Sequence, residues 1–327
     1  MERTRLGLDI AKGVFQAVLV AERSRLVWKR RWRRPQVLSE LARLEPTMVL
    51  MEACGSAHYW AREIEALGHT VWLLPAQHVC AYRQGQKDDV TDALALVEAS
   101  YRAELHPVPI KSEAQQELKL VYQVRRRLIQ ARTTLANQTR GELSEFGIVL
   151  PQGLNVLRRQ LPTLLSRLRP RVAELMNQQY DELVALDHQI AAVTRTLERL
   201  AAEREDCRRL MQLPGIGPIT AVLLVAHCCP HAYRNGRSYA AVLGLVPRHD
   251  NSADRVRLSR LTKHGQRELR TLLIHGGRSV LKYAARHDDR LSRWALEVAA
   301  RRGKNRAAVA VANKLARYAW AELKRAA

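Results

Sequence analysis

The first 75 residues place short apolar runs and turns in an order that few folds accept. Residues 5–9 and 14–20 are two apolar runs joined by a tight turn at Lys12-Gly13, and a third run follows near 26–32. Runs of this length bounded by turn residues predict strands. A helix near 37–44, a strand at 48–53, a helix at 57–67 and a short strand at 70–74, ended by Pro75, come next. Three successive strands followed by alternating helix and strand predict one mixed sheet with helices packed on it.

That order suits a mixed sheet of the ribonuclease-H type, and its acids stand at informative places. Asp9 closes the first strand, Glu52 closes the strand at 48–53, and Asp92 lies in a helix beginning near Val90 with Ala93, Leu94, Leu96 and Val97 on its apolar side. Two adjacent strands would bring Asp9 and Glu52 to the same sheet end. On the helix, Asp89 and Asp92 are three apart and Asp88 and Asp92 four apart, so either pair can share a face and spacing does not choose between them. A carboxylate at a central strand tip is costly unless its charge is compensated, and a divalent metal is the usual compensator. Such a set could hold two magnesium ions about 3.5–4 Å apart, with manganese as the alternative ion. The competing reading makes Asp88 and Asp89 helix caps and gives Asp9 an ion pair with Lys12.

Charge narrows the partners. The 327-residue chain carries 54 Lys and Arg against 32 Asp and Glu, a formal net charge of +22. Neutralising phosphates releases their condensed counterions, so this excess points to nucleic acid. A membrane partner is disfavoured, because no apolar run reaches the roughly 18 residues of a spanning helix and the N-terminus lacks a signal-peptide pattern. Five cysteines, an odd and sparse number, fit reduced thiols and a cytoplasmic location. His227-Cys228-Cys229-Pro230-His231 lacks both the spacing and the second cluster of a zinc site, so core cysteines are expected there.

Pro107 and Pro109 mark the first boundary, giving a sheet domain at 1–110, a basic helical and coiled-coil domain at 111–205 and a mainly helical domain at 206–327. Over 112–146, Arg125, Arg126, Arg127, Arg132 and Arg140 alternate with apolar positions, a pattern expected to hold a nucleic-acid backbone or to form a solvated basic face. Between 172 and 200, Met176, Leu183, Ile190 and Leu197 form one heptad seam position, and Leu186, Val193 and Leu200 the other, with Gln179 as its polar member. Self-association and packing on the preceding helix of the same chain both satisfy this pattern. Leu213-Pro214-Gly215-Ile216-Gly217-Pro218 reads as a helix–hairpin–helix, in which Gly215 and Gly217 let backbone amides approach phosphate. Helices are expected near 239–243, 266–282 and 306–324, and 247–260 reads as a polar stretch containing Ser252. An unassisted serine hydroxyl is a poor nucleophile, so Ser252 needs activation from elsewhere.

Asp9 in Leu8-Asp9-Ile10-Ala11-Lys12, Glu52 after a strand, and Lys87-x-Asp89-x-x-Asp92-Ala93 resemble the DEDD-type, RuvC-like domain of bacterial insertion-sequence transposases. Downstream, Leu213–Gly217, Leu243–Arg248, Leu261–Gly265 and Leu269–Arg278 resemble the C-terminal domain of the insertion-sequence family numbered one hundred and ten, with Ile274-His275-Gly276-Gly277-Arg278 nearest its eleven-eleven branch. The resemblance implies an α/β plus α architecture: an RNase H/RuvC-like sheet domain, a coiled-coil linker and a helical transposase domain. It implies a DNA recombinase guided by a structured noncoding RNA, acting on donor and target DNA as a dimer of dimers associated with the nucleoid. Carried over by motif, Asp9, Glu52, Asp89 and Asp92 are the catalytic metal-binding acids, and Ser252 is the nucleophile that forms a covalent protein–DNA intermediate. Lys87, Arg125, Arg126, Arg132, Gly215, Gly217, Arg248, Lys263 and Arg270 are expected to contact nucleic acid. The chain departs from the pattern at Ala253, where the family has glycine, and at Asn251, often a second serine in that branch. Two other functions stay open: a metal-dependent junction endonuclease using water, and a non-catalytic RNA-binding protein.

Overall fold

The computed structural model describes residues 4–21, 25–83, 88–102, 105–249, 258–263 and 265–326. The chain forms two compact units, Met1–Ser112 and Glu113–Ala327.

The first unit holds strands β1 (Arg5–Asp9), β2 (Val14–Val20), β3 (Leu26–Arg33), β4 (Met48–Glu52) and β5 (Thr70–Leu74), with helices α1 (Val37–Leu41), α2 (Ala57–Ala66), α3 (Ala76–Val79) and α4 (Asp89–Ser100). The sheet order is β3-β2-β1-β4-β5. β2 runs antiparallel to both β1 and β3, whereas β4 is parallel to β1 and β5 parallel to β4. The mixed sheet expected from the run order is therefore present. Period-2 alternation gives it two apolar faces. Leu6, Leu8, Phe15, Val49, Met51 and Leu73 pack with α1 and α2 on one face. Val18, Val20, Leu50 and Leu74 meet Ala93, Leu96 and Val97 of α4 on the other. One edge is β3, whose Lys29, Arg30, Arg31 and Arg33 project as charges that discourage strand pairing. At the other edge the Val108 amide donates to the Leu73 carbonyl at 2.7 Å, so the Pro107–Pro109 segment closes the sheet.

The second unit begins with long helices α5 (Glu113–Glu145) and α7 (Pro170–Glu203), separated by α6 (Leu154–Leu164). The Arg125 guanidinium donates to Thr194 at 2.7 Å, Arg132 to Asp187 at 2.8 Å, and the Thr139 hydroxyl to the Gln179 amide oxygen at 2.5 Å. Partner numbers fall as residue numbers rise, so α5 and α7 are antiparallel. Met176, Leu183, Leu186, Ile190 and Leu197 are buried. Against them lie Leu118, Leu128, Ala136 and Leu143 of α5. Within the chain, the heptad seam of α7 packs on α5. Gln179 also donates to Glu142 at 2.5 Å, so the seam's polar member fixes register against α5.

Helices α8 (Glu205–Met211), α9 (Pro218–His227), α10 (Gly236–Val242), α11 (Arg267–Tyr283), α12 (Arg290–Arg302) and α13 (Lys304–Ala326) complete this unit. α9 is the core element: every residue from Thr220 to Ala226 is buried. Two features correct the sequence expectations. The stretch read as featureless and polar carries β6 (Pro247–His249) and β7 (Leu258–Leu261), paired antiparallel across residues 250–257, because three- or four-residue strands leave too few positions for a period to show. α12 was not expected; its buried Leu291, Ser292 and Ala295 are too few and too small to register as an apolar stripe.

Candidate active site

Asp9 and Glu52 end the adjacent parallel strands β1 and β4. Gly7 pairs in register with Leu50, so the two acids, each two residues further on, stand level at the carboxyl end of the sheet. In open sheets with parallel strands this end is where ligands bind. After Glu52 the chain turns sharply: the Cys54 amide bonds the Glu52 carbonyl at 2.8 Å, and Ser56 takes a left-handed φ of 66° before α2. The other acids come from α4, which lies over β1 at backbone contact because residue 7 is glycine. A Cβ there would sit 2.1 Å from the Ala93 carbonyl oxygen.

The electrostatics report the convergence. Burial, then the charges of Asp89, Asp92 and Glu52, raise the Asp9 carboxyl from 3.8 to about 6, and Arg83 opposes them. Asp88 is not among those charges; it precedes α4 as its N-cap, and its backbone amide bonds the Thr91 hydroxyl at 3.2 Å. Arg83 forms an ion pair with Asp92. As placed, no three His, Cys, Asp or Glu side chains among the described residues stand close enough to hold a metal ion. The donor chemistry nevertheless fits a hard divalent cation. Four carboxylates gather near one sheet end, and Asp9 holds a proton more tightly than an ordinary aspartate because it is buried and then because the other three acids repel its charge, with Arg83 opposing them.

Three residues near these acids escaped the sequence reading. Arg83 follows a single turn of helix in a segment without periodicity. Cys54 lies close enough to Glu52 and Asp9 that, after burial, their charges push its thiol up. Gln16, opposite Asp9 on β2, is buried and bonds the Arg30 carbonyl at 3.0 Å. Beside them, Gln16, Lys29, Arg30, Arg31, Asp88 and Asp89 line a cavity of about 370 Å³, so the cationic edge strand borders the acids.

The remaining expected site residues divide. Ser252, Asn251, Ala253 and Lys87 lie outside the described residues. Arg248 on β6 is exposed, and exposed Lys263 has a left-handed φ of 56°, uncommon for a residue with a side chain. Gly217 is exposed at the start of α9. Gly215, at φ 81°, presses against α11: a Cβ on it would lie 2.6 Å from the Gly276 carbonyl oxygen, and one on Gly276 would lie 2.3 Å from that of Gly215. Arg270 is buried and donates to the Leu243 carbonyl at 3.0 Å, tying α11 to the end of α10. Arg125 and Arg132 hold α5 to α7, and Arg126 pairs with Glu268 of α11. Their partners lie 55 to 142 positions away and so do not show in a local window of sequence. Cys228 is a core residue whose thiol burial pushes up to about 12.

A DEDD-type IS110 transposase model matches residues 6–148, and the model described as "Transposase IS116/IS110/IS902 family" matches residues 207–292. The chain is 42% identical to a probable family 20 transposase of Pseudomonas aeruginosa, covering 99% of this chain and 98% of that one. It is 38% identical to the transposase for insertion sequence element IS1111A of Coxiella burnetii, covering 98% and 89%. With the transposase for IS1328 of Yersinia enterocolitica it shares 34% identity over 97% and 96%. Such likeness along nearly the whole length defines a DNA-processing enzyme. The chain belongs to the IS110 family of insertion-sequence transposases, and the DEDD transposases as a class depend on metal.

Proposed function

We propose that this transposase cuts and rejoins DNA through a covalent phosphoserine linkage at Ser252, with Asp9, Glu52, Asp89 and Asp92 as its acidic centre. The observation that carries the reading is geometric: the β1–β4 register sets Asp9 and Glu52 level at the sheet end, and the close α4–β1 contact brings Asp89 and Asp92 within electrostatic reach of Asp9. Those four residues would hold Mg2+ or Mn2+, whose charge, when bound, neutralises the oxygens of the scissile phosphate. The Ser252 oxygen attacks phosphorus, its proton passes to a base, and the bond to the DNA 3′ oxygen breaks. This leaves a 3′ hydroxyl and a 5′ phosphoserine ester. Attack by the 3′ hydroxyl of another strand reverses the step, so the phosphate bond is conserved without ATP. Lys29, Arg30 and Arg31, lining the cavity beside Asp89, are suited to steer a phosphodiester backbone towards the acids.

A structured guide RNA would select the DNA site, and a net charge of +22 suits a protein that binds two polyanions. Four copies would assemble, with the acids of one subunit serving the serine of another. The test is a denaturing gel of protein incubated with labelled DNA, Mg2+ and the RNA that copurifies with it. A DNA-linked band that disappears in Ser252→Ala and Asp9→Ala supports the assignment. Free 5′-phosphate ends without a linked band would instead indicate hydrolysis by water, and a wild-type yield from Ser252→Ala would refute the serine.

A further inference from the structure

A second basic site lies in the helical unit, far along the chain from the acids. Strands β6 and β7 and helices α12 and α13 enclose a cleft of about 890 Å³. Arg260, Trp294, Arg302, Arg306, Lys314 and Arg317 line it, and among the described residues the lining contains no carboxylate. Among the described residues, none of these five cations takes part in an ion pair, although many arginines elsewhere in the unit do. Lys314 Nζ sits 3.6 Å from the centre of the Trp294 ring, which holds both side chains against the wall. Burial, and then Arg290 and Arg317, make the Lys314 ammonium easier to deprotonate than a free lysine. Asn313 donates to the Leu245 carbonyl at 3.1 Å, fixing α13 to the segment that enters β6. The helix residues of this lining, 294 to 317, fall beyond the residues matched by either family model.

Five cations gathered in one concavity, with no carboxylate beside them among the described residues and one of them partly desolvated, repel one another unless an anion is present. A single small anion would leave most of that charge uncompensated. A phosphodiester strand, with one charge per nucleotide, matches it.

We propose that this cleft binds a DNA strand through its backbone phosphates, with Arg302 and Arg306 at its mouth and Lys314 and Arg317 in its wall. The choice of DNA rests on the proposed recombination reading. In sequence, β6 and β7 adjoin residues 250–257, the segment that includes Ser252, so the cleft is built from the chain on either side of the residue assigned to attack DNA.

The experiment measures binding of the full chain to a fluorescein-labelled 30-base-pair DNA duplex by anisotropy, across a KCl series and in EDTA. Arg302 and Arg306 are exposed, so Arg302→Ala/Arg306→Ala should keep the wild-type thermal unfolding profile. It should lower the salt-dependence slope by about 2, one for each lost phosphate contact, and weaken binding roughly tenfold at moderate salt. Arg302→Lys/Arg306→Lys should restore the slope. Arg171→Ala/Arg195→Ala removes the same charge from exposed sites on α7 and should leave the slope unchanged. A wild-type slope in the cleft variant, or an equal drop in both alanine pairs, would overturn the proposal. So would weakened binding of RNA of the same sequence with DNA binding intact, which would give the cleft to RNA. Cleavage plays no part in this readout, so failure of the Ser252 chemistry and failure of the cleft are separately visible.

Discussion

Gly7 and Ala93 meet so closely that a methyl group on Gly7 would lie 2.1 Å from the Ala93 carbonyl oxygen. This contact sets the height of α4 above β1, and with it the approach of Asp89 and Asp92 to Asp9. Gly7→Ala should therefore lower stability by about 2 kcal/mol, typical of an overpacked core. Lifting α4 also moves two like charges away, so the Asp9 carboxyl should titrate below its wild-type value. Urea unfolding and the carboxyl NMR titration of Asp9 measure the two effects. A folded variant with an unchanged Asp9 titration would refute the link between this contact and the acids.

The pH dependence of stability has a definite sign. Asp9 titrates at about 6 when folded against 3.8 as a free residue, so between those values the folded chain binds more protons than the unfolded one. Linkage then requires its contribution to be most favourable below 3.8 and to be lost as pH rises through about 6. In EDTA, Asp9→Asn should exceed the wild type in stability at pH 7.5, with the advantage shrinking towards pH 4. Urea midpoints at the two pH values test this, and a wild type that gains on the variant with rising pH would contradict it.

Arg83 stands in for part of the missing positive charge through its pair with Asp92. Removing it should raise the Asp9 carboxyl further and make an added divalent cation more stabilising. The rise in melting temperature on adding MgCl2 is expected to be larger for Arg83→Ala than for the wild type, and smaller or absent for Asp9→Asn. If Mg2+ shifts all three proteins equally, the acids are not where it binds.

Asp187 on α7 joins three helices, accepting from Arg132 of α5 at 2.8 Å and pairing with Arg158 of α6. Asp187→Ala leaves two guanidinium groups facing each other without their carboxylate. The site is partly exposed, so solvent offsets some of that cost and a loss of about 1–2 kcal/mol is expected. Thermal unfolding checks the magnitude, and Arg132→Ala/Asp187→Ala should lose less than the sum of its single variants.

What could be read from residues alone follows the range of the interactions. Strands β1, β2, β4 and β5 were legible because five to seven residues of apolar sequence and a bounding turn are local signals. The acids Asp9 and Glu52 were legible because they end those strands. Arg83 was not, since its role exists only once α4 folds back over β1. The intrachain partners of the α5 arginines were hidden for the same reason: Arg125, Arg126 and Arg132 find Thr194, Glu268 and Asp187 far along the chain. The heptads of α7 were visible, but periodicity specifies a stripe and not its occupant. Arg270 sits in a stretch that resembles a family motif, and its bond to the Leu243 carbonyl gives that motif a folding role.

Since α5 already fills the groove-facing stripe of α7, a second copy can reach those leucines only by evicting α5. Assembly along this route would be an exchange of equivalent hairpin arms about the Gly147–Gly153 bend, nearly neutral in free energy but slow, because the pair must unzip first. Monomers and their swapped forms would then interconvert on the timescale of that opening, and not of diffusion.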